Sequence, residues 1–405
     1  MLRTALTDFK KLRPSVRAIL SLHWIYSAVG AMTGVFVNIY LYQRFESVLF
    51  NVFAMMINFV GCALGFSLIG FIASRYRMNM KWGYLLAFML LSSSFLFLYG
   101  EVNALFARLF MFQNGIGLGL YWVTLHTFEL TETKNEERDY YSSVLSAGDQ
   151  IIELVAPATA TALFYLSADV FHFGTYTLLF YVAPLLYLFG IPLFARVRAY
   201  RPAPVTYADM KHFVYDKKNL RAQVYLFGNS LEYTTAMVVL PIAAISFLGS
   251  AKHVGIFNAL FAVISAVALL SLAKVRHSGN RLQFLRLTTI AAAAIALFMA
   301  LYYGFVAFLV FSLLALVINP LKRVSEHVID LETMETLGRE GSDFFPTMVF
   351  RDAAFGVWRL IALTCFAFFI FTFGEGEVAV RFGFVLLALS ALVIYLGATL
   401  LYRHE

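Results

Sequence analysis

Charge is scarce in this 405-residue chain: Asp, Glu, Lys and Arg together make up 14% of it. A water-soluble domain carries about 25%. The deficit excludes an ordinary soluble core, whose surface these residues could not cover. Cysteine is nearly absent. Cys62 and Cys365 both sit inside apolar runs, so no disulfide framework is expected. No G-x-x-x-x-G-K-[ST] loop occurs, which argues against ATP-driven pumping by this chain. No H-E-x-x-H or G-x-S-x-G motif occurs either, so nothing supports an intramembrane hydrolase. No polar stretch is long enough for an appended catalytic domain. The chain reads as a non-enzyme, without cofactor or bound metal.

Apolar residues are what the chain has instead. They form 61% of it, and the mean hydropathy is +0.76. They come in runs of about twenty, the length that crosses a hydrocarbon layer roughly 30 Å thick. Lipid offers no partner for backbone N–H and C=O groups, so such runs span as helices. The short alternating segments of a transmembrane barrel are missing. Twelve spans are expected, at 18–42, 50–73, 82–100, 104–125, 143–166, 175–195, 223–247, 254–273, 284–303, 305–321, 349–372 and 381–402. The apolar run after the basic segment Met1–Arg17 is too long for a cleaved signal peptide and is read as the first permanent span.

The net charge is +7. In a soluble protein this would suggest nucleic acid; here it fits the positive-inside rule. With the N-terminus in the cytoplasm, the outside segments hold only Arg44, Lys252 and Arg381. Arg108 and Arg359 lie within spans, and every other Lys and Arg falls inside. Both termini are therefore expected in the cytoplasm of a cell, or inner, membrane. The longest polar stretch, Arg196–Ala222, contains Pro202 and Pro204 and divides the spans six and six. The expected organisation is an N-terminal bundle 1–195, a cytoplasmic linker 196–222 and a C-terminal bundle 223–405.

The two halves repeat one another. His126 and Glu129, followed by Leu130, match His327 and Asp330, followed by Leu331. The same spacing pairs Arg138 with Arg339, and Ser74-Arg75-Tyr76-Arg77 resembles Ala273-Lys274-Val275-Arg276 at a nearby offset. Parallel six-helix repeats occur in transporters whose substrate site lies between the halves near the midplane. This architecture resembles the major facilitator superfamily. Gly70 and Arg75 fit that family's loop G-x-x-x-D-R-x-G-R-R/K, with Ser74 in place of the acid and Arg77 in place of the second glycine. Ala156-Pro157-Ala-Thr-Ala160 stands where many exporters of the family have G-P-x-x-G. Gly115-Ile-Gly117-Leu-Gly119-Leu-Tyr121-Trp122, followed by Asn135-Glu-Glu-Arg138, is similar to bacterial members. The resemblance implies two pseudo-symmetric six-helix bundles. It also implies that spans 1, 4, 7 and 10 line the cavity and that 2, 5, 8 and 11 frame the contact between halves.

Ionisable side chains inside spans cost roughly 2.5–3.5 kcal/mol each on insertion scales, so they are the first functional candidates. Asp149 and Glu153 are spaced i, i+4 and share one face of span 5. Glu232 lies on span 7. A carboxyl kept from water resists ionisation, so these three acids could take a proton on one side of the membrane and release it on the other. Glu153 is the first choice among them. The competing reading is that the acids pair with Arg108 or Arg359 and merely hold helices together. Arg108, Asn114, Arg359, His23, Asn38 and Tyr233 are candidates for the substrate cavity or for ion pairs. The two arginines read better as ion-pair partners, and His23 as a packing residue. Arg75, His126, Glu129, Arg138, His327, Asp330 and Arg339 form a candidate inner gate. The two His/acid pairs could face a metal, but the flanking charges favour a gate network.

The function expected is secondary active transport by alternating access, as proton-coupled export of a small organic or amphiphilic solute. The 42 Phe could line a cavity for an amphiphile or face lipid. A flippase and a non-transporting sensor are the alternatives. The partners expected are the solute, protons and the lipid bilayer, with no nucleic acid and a monomeric protein.

Overall fold

A computed structural model describes residues 12–133, 135–272, 281–337 and 344–402. All regular structure among them is helical. The long helices are α1 Pro14–Phe45, α2 Val48–Arg75, α3 Lys81–Ser94, α4 Ala104–Glu132, α5 Asn135–Tyr165 and α6 Thr177–Gly190, then α7 Lys217–Leu248, α8 Ala251–Leu272, α9 Arg281–Leu301, α10 Phe305–Leu337, α11 Phe344–Phe373 and α12 Glu377–Tyr402. A short helix, Tyr207–Tyr215, precedes α7 and opens on a capping box between Thr206 and Asp209. Nine helical segments among the described residues are long and apolar enough to cross a membrane, and Ala251–Ser265 and Phe305–Asn319 are shorter apolar stretches. The remaining expected span lies in α4, whose 29 residues include Arg108, Gln113, Asn114 and His126. Large apolar side chains such as Phe371 (83% exposed) and Phe189 (76%) point outward, as lipid-facing residues do. The chain is a multi-pass membrane protein.

Its contacts group into two compact units. Met1–Gly34 and Val60–Val205 form one; Val35–Phe59 and Thr206–Glu405 form the other. In the first unit, glycines let α2 and α4 touch backbone to backbone. A Cβ on Gly65 would lie 2.5 Å from the Ile116 carbonyl oxygen, and one on Gly119 2.2 Å from that of Cys62. Without a hydrophobic driving force between helices in lipid, such close approach supplies the packing energy. In the second unit α7 and α12 meet the same way, at Gly228 against Ile394 and Gly397 against Tyr225.

Gly119→Val should therefore cost about 3 kcal/mol, the upper end for overpacking, because the obstruction is backbone and cannot yield. Thermal unfolding in detergent checks this. Gly100→Ala is no control, since Gly100 holds a left-handed φ of 71°; Gly30→Ala is suitable, because nothing lies within 4 Å of the added carbon.

The turn between α11 and α12 also depends on glycine. Gly374 (φ 100°) and Gly376 (φ 76°) flank Glu375 and take backbone angles that other residues rarely adopt. The carboxylate so presented accepts hydrogen bonds from the Val48 N–H (2.8 Å) and the Ser47 hydroxyl (3.0 Å). Ser47 in turn accepts from Phe50 N–H at 3.0 Å. The free donors that open α2 are thus satisfied from within the second unit.

Candidate functional site

Two ionisable clusters and one caged cation stand among the helices. In the first unit, His23 of α1 is buried and meets side chains from three directions. Its Nδ1 lies 2.7 Å from the Tyr121 hydroxyl of α4, and its Nε2 lies 3.2 Å from Asp149 Oδ2 of α5 and 3.1 Å from Ser27 Oγ. With Nε2 protonated, the ring donates to the Asp149 carboxylate and accepts from Tyr121 at Nδ1. A second proton would turn the Tyr121 contact round, so that Nδ1–H donates to the phenol oxygen. The arrangement accepts either protonation state of the ring without moving a heavy atom.

Local sequence sets this geometry. His23 and Ser27 are one helical turn apart and so share a face. Gly148 lets α5 come down on Trp24, because a Cβ there would lie 2.0 Å from the indole Nε1. That approach brings the next residue, Asp149, to His23. Aromatic rings wall the cluster. Tyr26 stacks on Tyr121 with centroids 3.8 Å apart, and Trp122 meets both edge-on. The His side chain is 8% exposed and that of Asp149 33%; the imidazole is enclosed, and the Asp149 Oδ1 is enclosed too and makes no hydrogen bond. The glycine-rich run of α4 resolves into faces: Gly119 meets α2, Gly117 meets Leu91 of α3, and Tyr121 meets His23.

In the second unit, the Lys322 ammonium is 2% exposed and lies between two carboxylates. It donates to Glu232 of α7 and lies 2.7 Å from Glu326, one turn along its own helix. The ammonium is thus held by two carboxylates, and removing it would strand charge in surroundings where charge is costly. Among the described residues of this unit, Arg351 is also buried, and it is paired with the adjacent Asp352 at 2.9 Å.

Arg359 of α11 is arranged differently. Its guanidinium lies over the rings of Tyr233 (4.7 Å), Phe59 (5.1 Å) and Phe355 (5.5 Å). Its Nε is enclosed and makes no hydrogen bond. The acid beside Tyr233, Glu232, is engaged with Lys322.

The remaining candidates fall as follows. Glu153 is exposed, one turn along α5 from Asp149. Arg108 is exposed and Asn114 half-buried on α4. Asn38 is buried, and its carbonyl accepts from Asn51 Nδ2 at 3.0 Å. Arg75 is exposed at the end of α2. The His126 ring lies 5.4 Å from that of Trp122, and Glu129 accepts from the Tyr141 hydroxyl at 3.0 Å. Arg339 and the side chains of Arg138, His327 and Asp330 lie outside the described residues. Sequence reasoning passed over Lys322 and Glu326 because they sit just past the apolar stretch Phe305–Asn319; their i, i+4 spacing was the available signal.

No family model matches the chain, and no curated protein sequence matches it. Solved structures do. A mutant of the nucleoside transporter NupG superposes with a TM-score of 0.66 at 11% identity, covering 96% of this chain and 99% of that one. A POT family transporter in complex with a thioalcohol-conjugated peptide gives 0.68 at 12%, covering 96% and 97%. A bacterial homologue of the human lysosomal transporter Spinster, inward-facing and unoccupied, gives 0.65 at 12%, covering 96% and 98%. The chain is an all-helical membrane protein with the major facilitator fold over nearly its whole length.

Proposed function

We propose that this chain is a secondary active transporter that works by alternating access and exports a small organic or amphiphilic solute in exchange for protons. The observation that carries the reading is the His23–Asp149 pair of α1 and α5, whose imidazole is buried. A transporter coupled to protons needs a group that can hold or lose one inside the span, and such groups are too costly to keep there without a task. The solved structures of this fold noted above are of transporters, which supports movement of a solute without covalent change. Asp149 is the primary carrier in this reading, with His23 as its hydrogen-bonded partner. Glu153, on the same face of α5, passes the proton on. The Glu232–Lys322–Glu326 cluster is the second proton site. The inner gate comprises Arg75, His126, Glu129, Arg138, His327, Asp330 and Arg339. The halves are 1–195 and 223–405, joined by the cytoplasmic segment 196–222. The protein is a monomer in the cell membrane with both termini inside.

Proteoliposomes with an imposed pH gradient test the reading. A panel of labelled organic solutes should include at least one moved faster by the gradient than in protein-free vesicles. Ligand-induced stabilisation with no flux of any solute would overturn transport in favour of a sensor. Topology is tested separately: a cysteine at Asn103 or Ser250 should label from outside and one at Ala208 only from inside. External labelling at Ala208 would reverse the orientation.

A further inference from the structure

Arg359 carries a full positive charge in a spanning helix, and among the described residues no carboxylate pairs with it. Arg359 is half-buried; among the described residues, the buried cations Lys322 and Arg351 of the second unit each have a carboxylate partner. Three aromatic rings, from Tyr233, Phe59 and Phe355, attend the guanidinium. Such contacts satisfy its faces and leave its edge. Guanidinium donors lie in its plane and match a planar, two-oxygen acceptor bidentately. One of those donors, on Nε, is enclosed and unused. Cation–π contacts of about 0.5–2 kcal/mol hold the group, but they do not neutralise it.

We propose that Arg359 recognises the substrate, and that the substrate is an amphiphilic organic anion. Its carboxylate docks on the in-plane donors of the Arg359 guanidinium, and its apolar body lies along Tyr233, Phe59 and Phe355. Tyr233 is 47% exposed, so the cage is open to an incoming molecule. The inference deepens the transport reading and rests on it. The source of the anion is solution rather than a lipid headgroup, because a guanidinium attended by three aromatic rings matches an aryl acid better than a phosphodiester with two acyl chains.

Thermal unfolding of the purified protein in phosphatidylcholine nanodiscs, with sets of compounds sharing one apolar body, tests this. The sets are phenylbutyrate, phenylbutylamine and phenylbutanol, and indoleacetate with tryptamine. The acids should stabilise the protein saturably, and the amines and the alcohol should not. Arg359→Gln should weaken acid binding about tenfold to a hundredfold, the loss of a charged hydrogen-bonding partner. Arg359→Lys should fold like the wild type and recover only part of the affinity, since the charge returns without the fork. Failure of the acids to stabilise, equal stabilisation by acids and amines, or acid binding unchanged in Arg359→Gln would each overturn the proposal. So would stabilisation by phosphatidylglycerol nanodiscs that replaces the effect of the acids. The transport reading fails separately. Acid binding that depends on Arg359 without any flux would leave this site standing and remove the transporter. Proton-coupled flux of amines, unaffected by Arg359→Gln, would do the reverse.

Discussion

Asp149→Asn is expected to abolish solute movement driven by a pH gradient and to leave exchange of solute for solute intact. The amide is nearly the same size and can still accept the Nε2–H hydrogen bond that the carboxylate accepts from His23 at 3.2 Å. The local fold should therefore survive. What disappears is the negative charge and the carboxylate that could carry a proton. A transporter that cannot gain or lose a proton at this point can still reorient with solute bound, which is what exchange measures. His23→Gln should behave in the same direction. Glu153→Gln should slow gradient-driven flux without abolishing it, because Glu153 is exposed and, in the proposed path, follows Asp149. Parallel assays of driven uptake and of exchange in one vesicle preparation separate these outcomes. Loss of both activities in Asp149→Asn would mean that the residue is structural.

Lys322→Met should be the most destabilising single change in the second unit, costing about 3–5 kcal/mol, the usual penalty for stranding a buried charge. Methionine fills the space of the lysine stem but removes the ammonium that Glu232 and Glu326 both engage. Changing all three, as Lys322→Met with Glu232→Gln and Glu326→Gln, should recover most of the loss, because no charge is then stranded. Thermal unfolding of the single and triple variants checks this. Equal instability of the two would show that the packing of the lysine stem matters more than its charge.

The helical membrane character was legible in the sequence because hydropathy over twenty residues is a one-dimensional property, and lipid turns it directly into a spanning helix. The fold was legible because the repeat around His126 and His327 halves the problem. The sites were harder to read. His23 and Asp149 come from helices far apart in sequence, and their meeting depends on Gly148 clearing the Trp24 ring. No periodicity within either helix announces that. Glu153 was the first choice on the face of α5 that it shares with Asp149, yet it is Asp149 that meets His23. Lys322 was read as a cytoplasmic charge because the apolar stretch before it ends at Asn319. The helix runs on to Leu337, and the turn after that stretch carries the ammonium back between two carboxylates. The arginines were expected to find acids; around Arg359 the structure sets rings instead, contacts that no pairing of opposite charges in the sequence would suggest.

Internal pH, recorded while solute is added to proteoliposomes that start with no pH gradient, tests proton coupling most directly. A dye sealed in the lumen reports whether solute moving one way carries protons the other. Wild-type vesicles should show a solute-dependent pH change that scales with the solute gradient and collapses with a protonophore, and Asp149→Asn vesicles should show none. Solute flux in the wild type with no accompanying pH change, or an undiminished pH change in Asp149→Asn, would contradict the account.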